Sequence, residues 1–308
     1  MLERCLRALL RQDLHPDDYE IIVVDDAAER AVATLVERLG AECNGGPALH
    51  YVAMYDRHGP AAARNCGWRR AQGEVIAFTD DDCVPQPDWL RNGLVVFQFD
   101  VTAAWGRVSM PLPARPTDYE RDAARLQEAE FATANCFCTR AALAACGGFD
   151  ERFTAAWRED ADLFFCLLER SARIVRVPDA VVVHPIRPAK WGVSVAQQRK
   201  MRFDALLYKK HPRLYREHIR RLPPLQYYLI ALALIGVAAA ALSGRWELAA
   251  VASALWGTLT LALFAKRIRH NSRRIGHLAE MAFTSMLIPP LAVFWRLAGA
   301  WRYRVVFL

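Results

Sequence analysis

The sequence predicts an α/β domain built on a mostly parallel sheet, followed by a helical hairpin of membrane-spanning character. Three observations predict it. Two apolar runs, Tyr19–Asp26 (YEIIVVDD) and Glu74–Asp82 (EVIAFTDDD), each close in acids, the pattern of strands buried on both faces of a parallel sheet. Helical spacing alternates with these runs, as in strand–helix–strand units. Beyond Pro223, long apolar stretches alternate with basic clusters.

The elements follow in order. Leu2, Leu6, Leu9 and Leu10 recur at helical spacing, so the chain opens within a helix. The first buried strand follows at Tyr19–Asp26, then a helix over Ala28–Leu39 closed by Gly40, and a short strand over Leu49–Met54. Gly59-Pro60 opens a helix running to about Gln72 with Gly73 as its stop. The second buried strand, Glu74–Asp82, brings three consecutive acids to its carboxyl end, where ligands of such sheets sit. Val101–Ser109 reads as a strand, Tyr119–Glu130 as a helix, and Ala141–Cys146 as a short helix stopped by Gly147-Gly148. Glu159–Ser171 is a helix whose Leu163, Phe164, Leu167 and Leu168 share one face, and Arg173–His184 is the closing strand. Val195–Lys210 mixes apolar and basic residues as an interfacial helix does.

Leu225–Leu242 contains no charge, and Leu248–Phe264 is nearly as long; the tight link Ser243–Glu247 makes them a hairpin. Arg213, Arg216, Arg220 and Arg221 precede it, and Lys266, Arg267, Arg269, Arg273 and Arg274 follow it. The positive-inside rule therefore places both flanks, and with them the α/β domain, in the cytoplasm of a multi-pass protein of the cytoplasmic (inner) membrane. A third apolar segment, about 281–295, is broken by Pro289-Pro290; a full span and a re-entrant or interfacial segment are equal alternatives. The division expected is an α/β domain over 1–211 and a juxtamembrane and membrane segment over 212–308.

Composition narrows the partners. The 308 residues carry a net charge of +7. Only Glu217, Glu247 and Glu280 lie beyond Tyr208 among the acids, so the excess positive charge belongs to the tail, where anionic membrane lipid is the better partner. No nucleic-acid-binding signature accompanies it, so no nucleic-acid partner is expected. The eight cysteines show no CxxC pair and no zinc spacing, and read as reduced, buried thiols. Met1–Leu10 is interrupted by Glu3, Arg4 and Arg7 and is no signal peptide.

Asp80-Asp81-Asp82 is the sharpest chemical feature. Three adjacent carboxylates repel one another unless a cation neutralises them, and an oxygen donor set at a strand end suits Mg²⁺ or Mn²⁺ with positions left for phosphate oxygens. The bland reading is an acidic loop capping the next helix.

The run Gly59–Leu90 (GPAAARNCGWRRAQGEVIAFTDDDCVPQPDWL) resembles the donor half of family 2 glycosyltransferases with the GT-A, Rossmann-like fold: an R-N-x-G helix, a strand, then a D-x-D motif. Val23–Asp26 (VVDD) resembles the family's acidic pair. Gly147–Phe153 (GGFDERF) and Trp157–Ser171 (WREDADLFFCLLERS) resemble its acceptor-side loop and E-D helix. The resemblance covers roughly Met1 to His211. It implies that Asp25 and Asp26 hold base and ribose, and that Arg64 and Asn65 of the R-N-x-G helix lie at the donor. Asp80 and Asp82 form the D-x-D, with Asp81 in its middle on the donor, and His184 is a further metal or diphosphate contact. Asp160 is the general base, with Glu159 beside it; Gly148, Phe149, Asp150 and Trp157 line the acceptor. Each has a structural alternative: first-turn acids favoured by the helix dipole for Glu159, Asp160 and Asp162, a core histidine for His184, a surface arginine for Arg64, and simple packing for Trp157.

The resemblance further implies a divalent metal (Mg²⁺ or Mn²⁺), a UDP- or dTDP-sugar donor, a lipid-linked or glycan acceptor, and inversion at the anomeric centre. Transfer of one or few sugars is expected: Gln198–Phe203 is only a loose echo of the Q-x-x-R-W of processive synthases. Members of the family begin with a strand of the V-S-V-V-I-P-T/Y type ahead of the helix that opens this chain. That strand is expected to be missing here, through a start assigned too late rather than a true truncation. A GT-A-like nucleotidyltransferase and an inactive membrane homologue or scaffold are the alternative readings.

Overall fold

The computed structural model describes residues 1–307. In chain order the elements are α1 (Leu2–Leu9), β1 (Glu20–Asp25), α2 (Arg30–Glu42), β2 (Ala48–Ala53), α3 (Pro60–Arg70), β3 (Val75–Phe78), β4 (Val84–Pro85), α4 (Trp89–Leu94) and β5 (Ala103–Ser109). There follow α5 (Asp118–Ala123), β6 (Cys136–Thr139), α6 (Arg140–Cys146), α7 (Glu159–Glu169) and β7 (Ile174–Val183). The chain ends with α8 (Val193–Gln197), α9 (Arg202–Lys210), α10 (Pro212–Leu214), α11 (Leu225–Leu242), α12 (Trp246–Ile268) and α13 (Ile275–Tyr303). By packing it divides into two compact units, one of residues 1–111 and 125–186, the other of residues 112–124 and 187–308.

In the first unit the strands form two sheets. β1 and β2 pair in parallel, Glu20 with Ala48 through Asp25 with Ala53. The other five order as β3-β6-β5-β7-β4. Only β5–β7 is parallel there; β3–β6, β5–β6 and β4–β7 are antiparallel. The mostly parallel sheet expected is thus mixed within an α/β architecture. The reason is β6: four residues, Cys136–Thr139, without the acidic end that marks β1 and β3, insert between β3 and β5 and reverse the local direction.

The two-faced burial expected of Tyr19–Asp26 is also only partial. Ile21 and Asp25 are buried, while Ile22, Val23 and Val24 are half-exposed, because among the described residues β1 has a strand partner on one edge only. A local core of Leu6, Ile21, Val36 and Leu39 supports this small sheet. α2 runs through Gly40 to Glu42 rather than ending there, since Leu39 at the centre of that core holds the last turn.

Sequence chemistry accounts for the helix ends that matter to the site. α3 starts at Pro60, whose missing N–H is no loss at a first turn, after Gly59 at φ 106°. α6 is capped by the Thr139 hydroxyl, which accepts from the Ala142 N–H, and ends in Gly147 at φ 76°.

In the second unit, α11 matches the expected first arm and α12 extends the second to Ile268. α13 is continuous through Pro289 and Pro290, which the sequence reads as a break; both lie inside the helix. Two prolines remove two N–H donors, and here buried packing of Met281, Ile288 and Ala292 outweighs that loss. The expected single helix over Val195–Lys210 is instead α8, a 3-10 turn over Gln198–Met201, and α9. Residues 112–124, where a capping box of Thr117 with Glu120 opens α5, join this unit through an ion pair between Asp118 and Arg267 at 2.7 Å.

Candidate active site

The site is assembled around Arg64, on the inner face of α3. Its guanidinium Nη1 donates to Glu159 Oε1 at 2.9 Å and Nη2 to Asp80 Oδ1 at 3.0 Å. It also lies 5.8 Å from the centre of the Phe149 ring. One planar cation therefore joins the acidic end of β3 to the first residue of α7, which are 79 positions apart by the difference of those numbers. The surface-arginine alternative for Arg64 does not hold.

Beyond Asp80, His184 Nε2 lies 3.9 Å from Asp80 Oδ2 and 3.5 Å from Asp82 Oδ1. Asp80, Asp82, Cys83 and His184 offer donor atoms all within 4.8 Å of one another. Ligand atoms around one small divalent ion at about 2.0–2.2 Å are roughly 3 Å apart, so Asp80, Asp82 and His184 need only small closure to share an ion. Asp82 is buried at 6 % exposure. Two carboxylates and an imidazole suit Mn²⁺ well and Mg²⁺ less, since nitrogen is a poorer donor to the harder ion. Cys83 is the addition that sequence reasoning missed. It follows the triple acid directly, but burial, with Asp80 adding to it, pushes its thiol pKa up, so it stays a soft, protonated neighbour. Asp81 is exposed beside the cluster.

The N-terminus of α7 carries the second half of the site. Arg158, which precedes it, has φ 76°, an uncommon conformation for a side chain of its size, and lies 4.6 Å from the Trp157 ring centre. This turn delivers Glu159 and Asp160 together. Glu159 is buried, and its Oε2 has no hydrogen-bond partner. Burial, with help from the Asp160 charge and against the pull of Arg64, lifts the Glu159 pKa to about 7. Burial likewise raises Asp160, although Asp160 Oδ1 accepts from the Ala161 N–H at 2.7 Å. A carboxylate raised in this way is the stronger base once ionised.

The remaining expected residues are placed as follows. Asp25 accepts from the N–H of Ala27 at 3.0 Å and of Glu29 at 2.7 Å, and from the Tyr51 hydroxyl at 2.9 Å, which orders the loop after β1. Asp26 Oδ2 accepts from the Gly59 N–H at 2.8 Å, fastening that loop to the start of α3. His58 Nδ1 lies 2.8 Å from the Asp26 carbonyl, whose partial charge raises the imidazole pKa. His58 was not singled out from sequence; its place immediately before the Gly59-Pro60 helix start was the available signal.

Asn65, expected at the donor, lies beneath the loop of residues 147–153. It is 1 % exposed, and its amide makes four hydrogen bonds: Nδ2 donates to the Phe149 carbonyl and Glu151 Oε1, while Oδ1 accepts from Phe149 N–H and Trp68 Nε1. That saturates its capacity and leaves nothing for a ligand. Gly148, at φ 78°, sits so close to Asn65 and Trp68 that a Cβ would overlap the Asn65 amide. Phe149 is buried, edge-on to Phe78 at 5.2 Å. Asp150 pairs with Arg152, and Trp157 is half-buried. Of the four residues expected to line the acceptor, Gly148 and Phe149 are packed as loop framework, while Asp150 and Trp157 remain partly accessible. A separate concavity of ≈ 380 Å³, bounded by Trp105, Gln127, Glu130 and Arg176, contains none of the acids above.

Residues 1–141 match the sequence profile of "Glycosyl transferase family 2". The chain is similar to glycosyltransferase AglE of Haloferax volcanii, 27 % identical over 121 residues, 39 % of each chain. It is also similar to the pre-mycofactocin glycosyltransferase of Mycobacterium tuberculosis, 33 % identical over 184 residues, 54 % of this chain and 37 % of the relative. These matches span about two fifths of the length of those relatives. In fold it is similar to the mannosyltransferase PcManGT from Pyrobaculum calidifontis, solved with GDP-Man and Mn²⁺, at a TM-score of 0.61 and 22 % identity, covering 96 % of this chain and 83 % of the other. By sequence, then, residues 1–141 match the family 2 glycosyltransferases, and nearly the whole chain shares the GT-A fold.

Proposed function

We propose that the protein is an inverting glycosyltransferase that moves a sugar from a nucleoside diphosphate donor to a hydroxyl of a lipid-linked or cell-envelope glycan, at the cytoplasmic face of a membrane. One observation carries this reading: Arg64 joins Asp80, in a cluster able to hold a divalent ion, to Glu159, whose neighbour Asp160 stands as a basic carboxylate at the head of α7.

Asp80, Asp82 and His184 would hold the ion, which when bound offsets the charge gathering on the departing diphosphate. Asp25 and Asp26 shape the loop after β1, where the base and ribose are expected. Asp160 takes the proton from the acceptor hydroxyl as that oxygen attacks the anomeric carbon, and the bond to the diphosphate breaks. With one base acting on the acceptor hydroxyl opposite the departing diphosphate, the reaction is a direct displacement, hence inversion. Glu159 stands beside Asp160, whose charge helps raise the Glu159 pKa, and fixes Arg64. The helices α11 and α12 are long and apolar enough to cross a membrane, which fits an acceptor held in lipid.

The test is a panel of UDP-, dTDP- and GDP-sugars with membrane-embedded protein, Mn²⁺ or Mg²⁺ and native membrane lipid as acceptor source. Asp160→Asn should bind donor and metal while losing about 10²–10⁴-fold in transfer. Asp82→Ala should lose metal-dependent donor binding. Wild-type-like transfer by Asp160→Asn removes the assigned base. Absence of any metal-dependent donor binding by the wild type removes the enzyme reading.

A further inference from the structure

Three helices, α11, α12 and α13, are long and apolar enough to cross a membrane. We infer that only the first two cross, and that α13 lies in the plane of the bilayer surface, with its apolar outer stripe against the lipid interfacial layer. The inference rests on the membrane-attached reading above and specifies how the chain meets that membrane.

The argument starts from what α13 is packed on. At its beginning, the Trp191 indole N–H donates to the Gly276 carbonyl, its ring lies 5.3 Å from that of Phe283, and the Gly192 N–H donates to Glu280 at 2.7 Å. Toward its end, Arg296 pairs with Asp204 at 3.8 Å, and Gly299 packs directly on the Arg202 backbone. Past its last turn, Lys209 Nζ donates to the Tyr303 carbonyl at 2.8 Å, and Phe307 lies 5.0 Å from Tyr208. Contacts thus advance together, 191 with 276–283, 202–204 with 296–299, and 208–209 with 303–307. α13 and the segment 191–209 run side by side in the same direction along nearly the whole helix.

Whatever depth α13 reaches, that segment must reach as well. It carries Arg199, Lys200, Arg202, Asp204, Lys209 and Lys210. Arg199 and Lys209 are exposed, and α8, the 3-10 turn and α9 form no continuous apolar helix. Such a segment does not cross hydrocarbon, where every charge is costly and backbone groups outside a regular helix go unpaired. Two parallel elements at the surface, one basic and one apolar, satisfy both demands.

A second, independent contact agrees. Arg267, at the last turn of α12, donates to Thr284 at 2.7 Å and Ser285 at 3.1 Å, about a third of the way along the 29 residues of α13. A third antiparallel span following a short turn would meet α12's last turn near its own first turn. Here the end of α12 meets the next helix well along its length, so α13 passes across the foot of the hairpin.

The outer face of α13 has the composition for that position. Phe283, Met286, Phe294, Leu297 and Trp301 are exposed at helical spacing on one stripe, while Met281, Ser285, Ile288, Ala292, Arg296 and Gly299 are buried on the other. Arg273 and Arg274 stand before the helix, and Arg302 and Arg304 at its end, where phosphate headgroups would meet them.

The test is a topology map of the full-length chain in native membranes, with a small split-fluorescent-protein tag inserted at Gly244 or appended after residue 308. The Gly244 tag should be inaccessible to a cytoplasmic complementing fragment and the C-terminal tag accessible. A photoreactive benzoylphenylalanine replacing Trp301 should also capture phospholipid. Both tags inaccessible would make α13 a third span and overturn the inference while leaving a membrane protein. Both accessible would overturn the hairpin itself, and this inference with it. A correct topology without lipid capture at 301 would take α13 off the membrane surface and overturn it too.

Discussion

Asn65 and Gly148 illustrate how a short motif can matter without touching a ligand. Replacing Asn65 by Leu strands two buried donors, the Trp68 indole N–H and the Phe149 N–H. At about 1–3 kcal/mol for each unsatisfied group, a loss of about 2–6 kcal/mol is expected, read as a fall in thermal midpoint with metal affinity retained. Glu159 makes a prediction in pH. Its folded pKa, about 7, stands above the usual 4.5. The folded protein therefore favours the neutral carboxyl, and wild type loses stability as pH rises from about 4.5 through 7. Glu159→Gln, which never ionises, should gain on wild type between pH 5 and pH 8 in metal-free thermal unfolding; a difference flat in pH would mean that Arg64 keeps Glu159 ionised throughout. At this scale the sequence was legible where chemistry is local. Asp80 and Asp82 stand together in the motif, and His184 lies with them in the structure. The role of Asn65 was not legible, because satisfaction of an amide by residues 84 and 86 positions away leaves no trace in spacing.

Among the elements, strands with acidic ends and helices with proline or glycine punctuation were readable, since both signals come from neighbouring residues. β6 and α4 were not, being short and without periodicity. The order of strands in the larger sheet depends on β6, and so the mixed direction of that sheet escaped notice. The strap of residues 112–124 offers a test at this scale. Its half-buried Asp118 receives two hydrogen bonds from Arg267 and one from Asn271. Asp118→Asn should weaken the attachment by about 1–2 kcal/mol, since the arginine is left without its counter-charge. Limited proteolysis within 112–124 should accelerate several-fold, and an unchanged rate would show that its other contacts, Arg121 with Asn271 and the Ser272 N–H with the Pro116 carbonyl, hold the strap.

Across the whole molecule, the hairpin was legible from absence of charge alone, whereas the course of α13 was not, because apolar length is common to a span and to a surface helix. The full chain should remain with membranes through alkaline carbonate extraction, and release into the supernatant would remove the anchoring role of α11 and α12. The divided sheet of the first unit has a further consequence. β1 and β2 share a small core with α1 and α2, and their ladder is separate from that of the five other strands. Cooperativity follows contiguous packing, so this piece has the makings of a unit that opens by itself. Amide protons of Ile22 to Asp25 should exchange with solvent deuterium sooner than those of Val177 to Val183, and nucleotide, by bridging the loop after β1 to the acids after β3, should bring the two exchange rates together. Donor binding would then be read as a gain in the molecule's cooperativity.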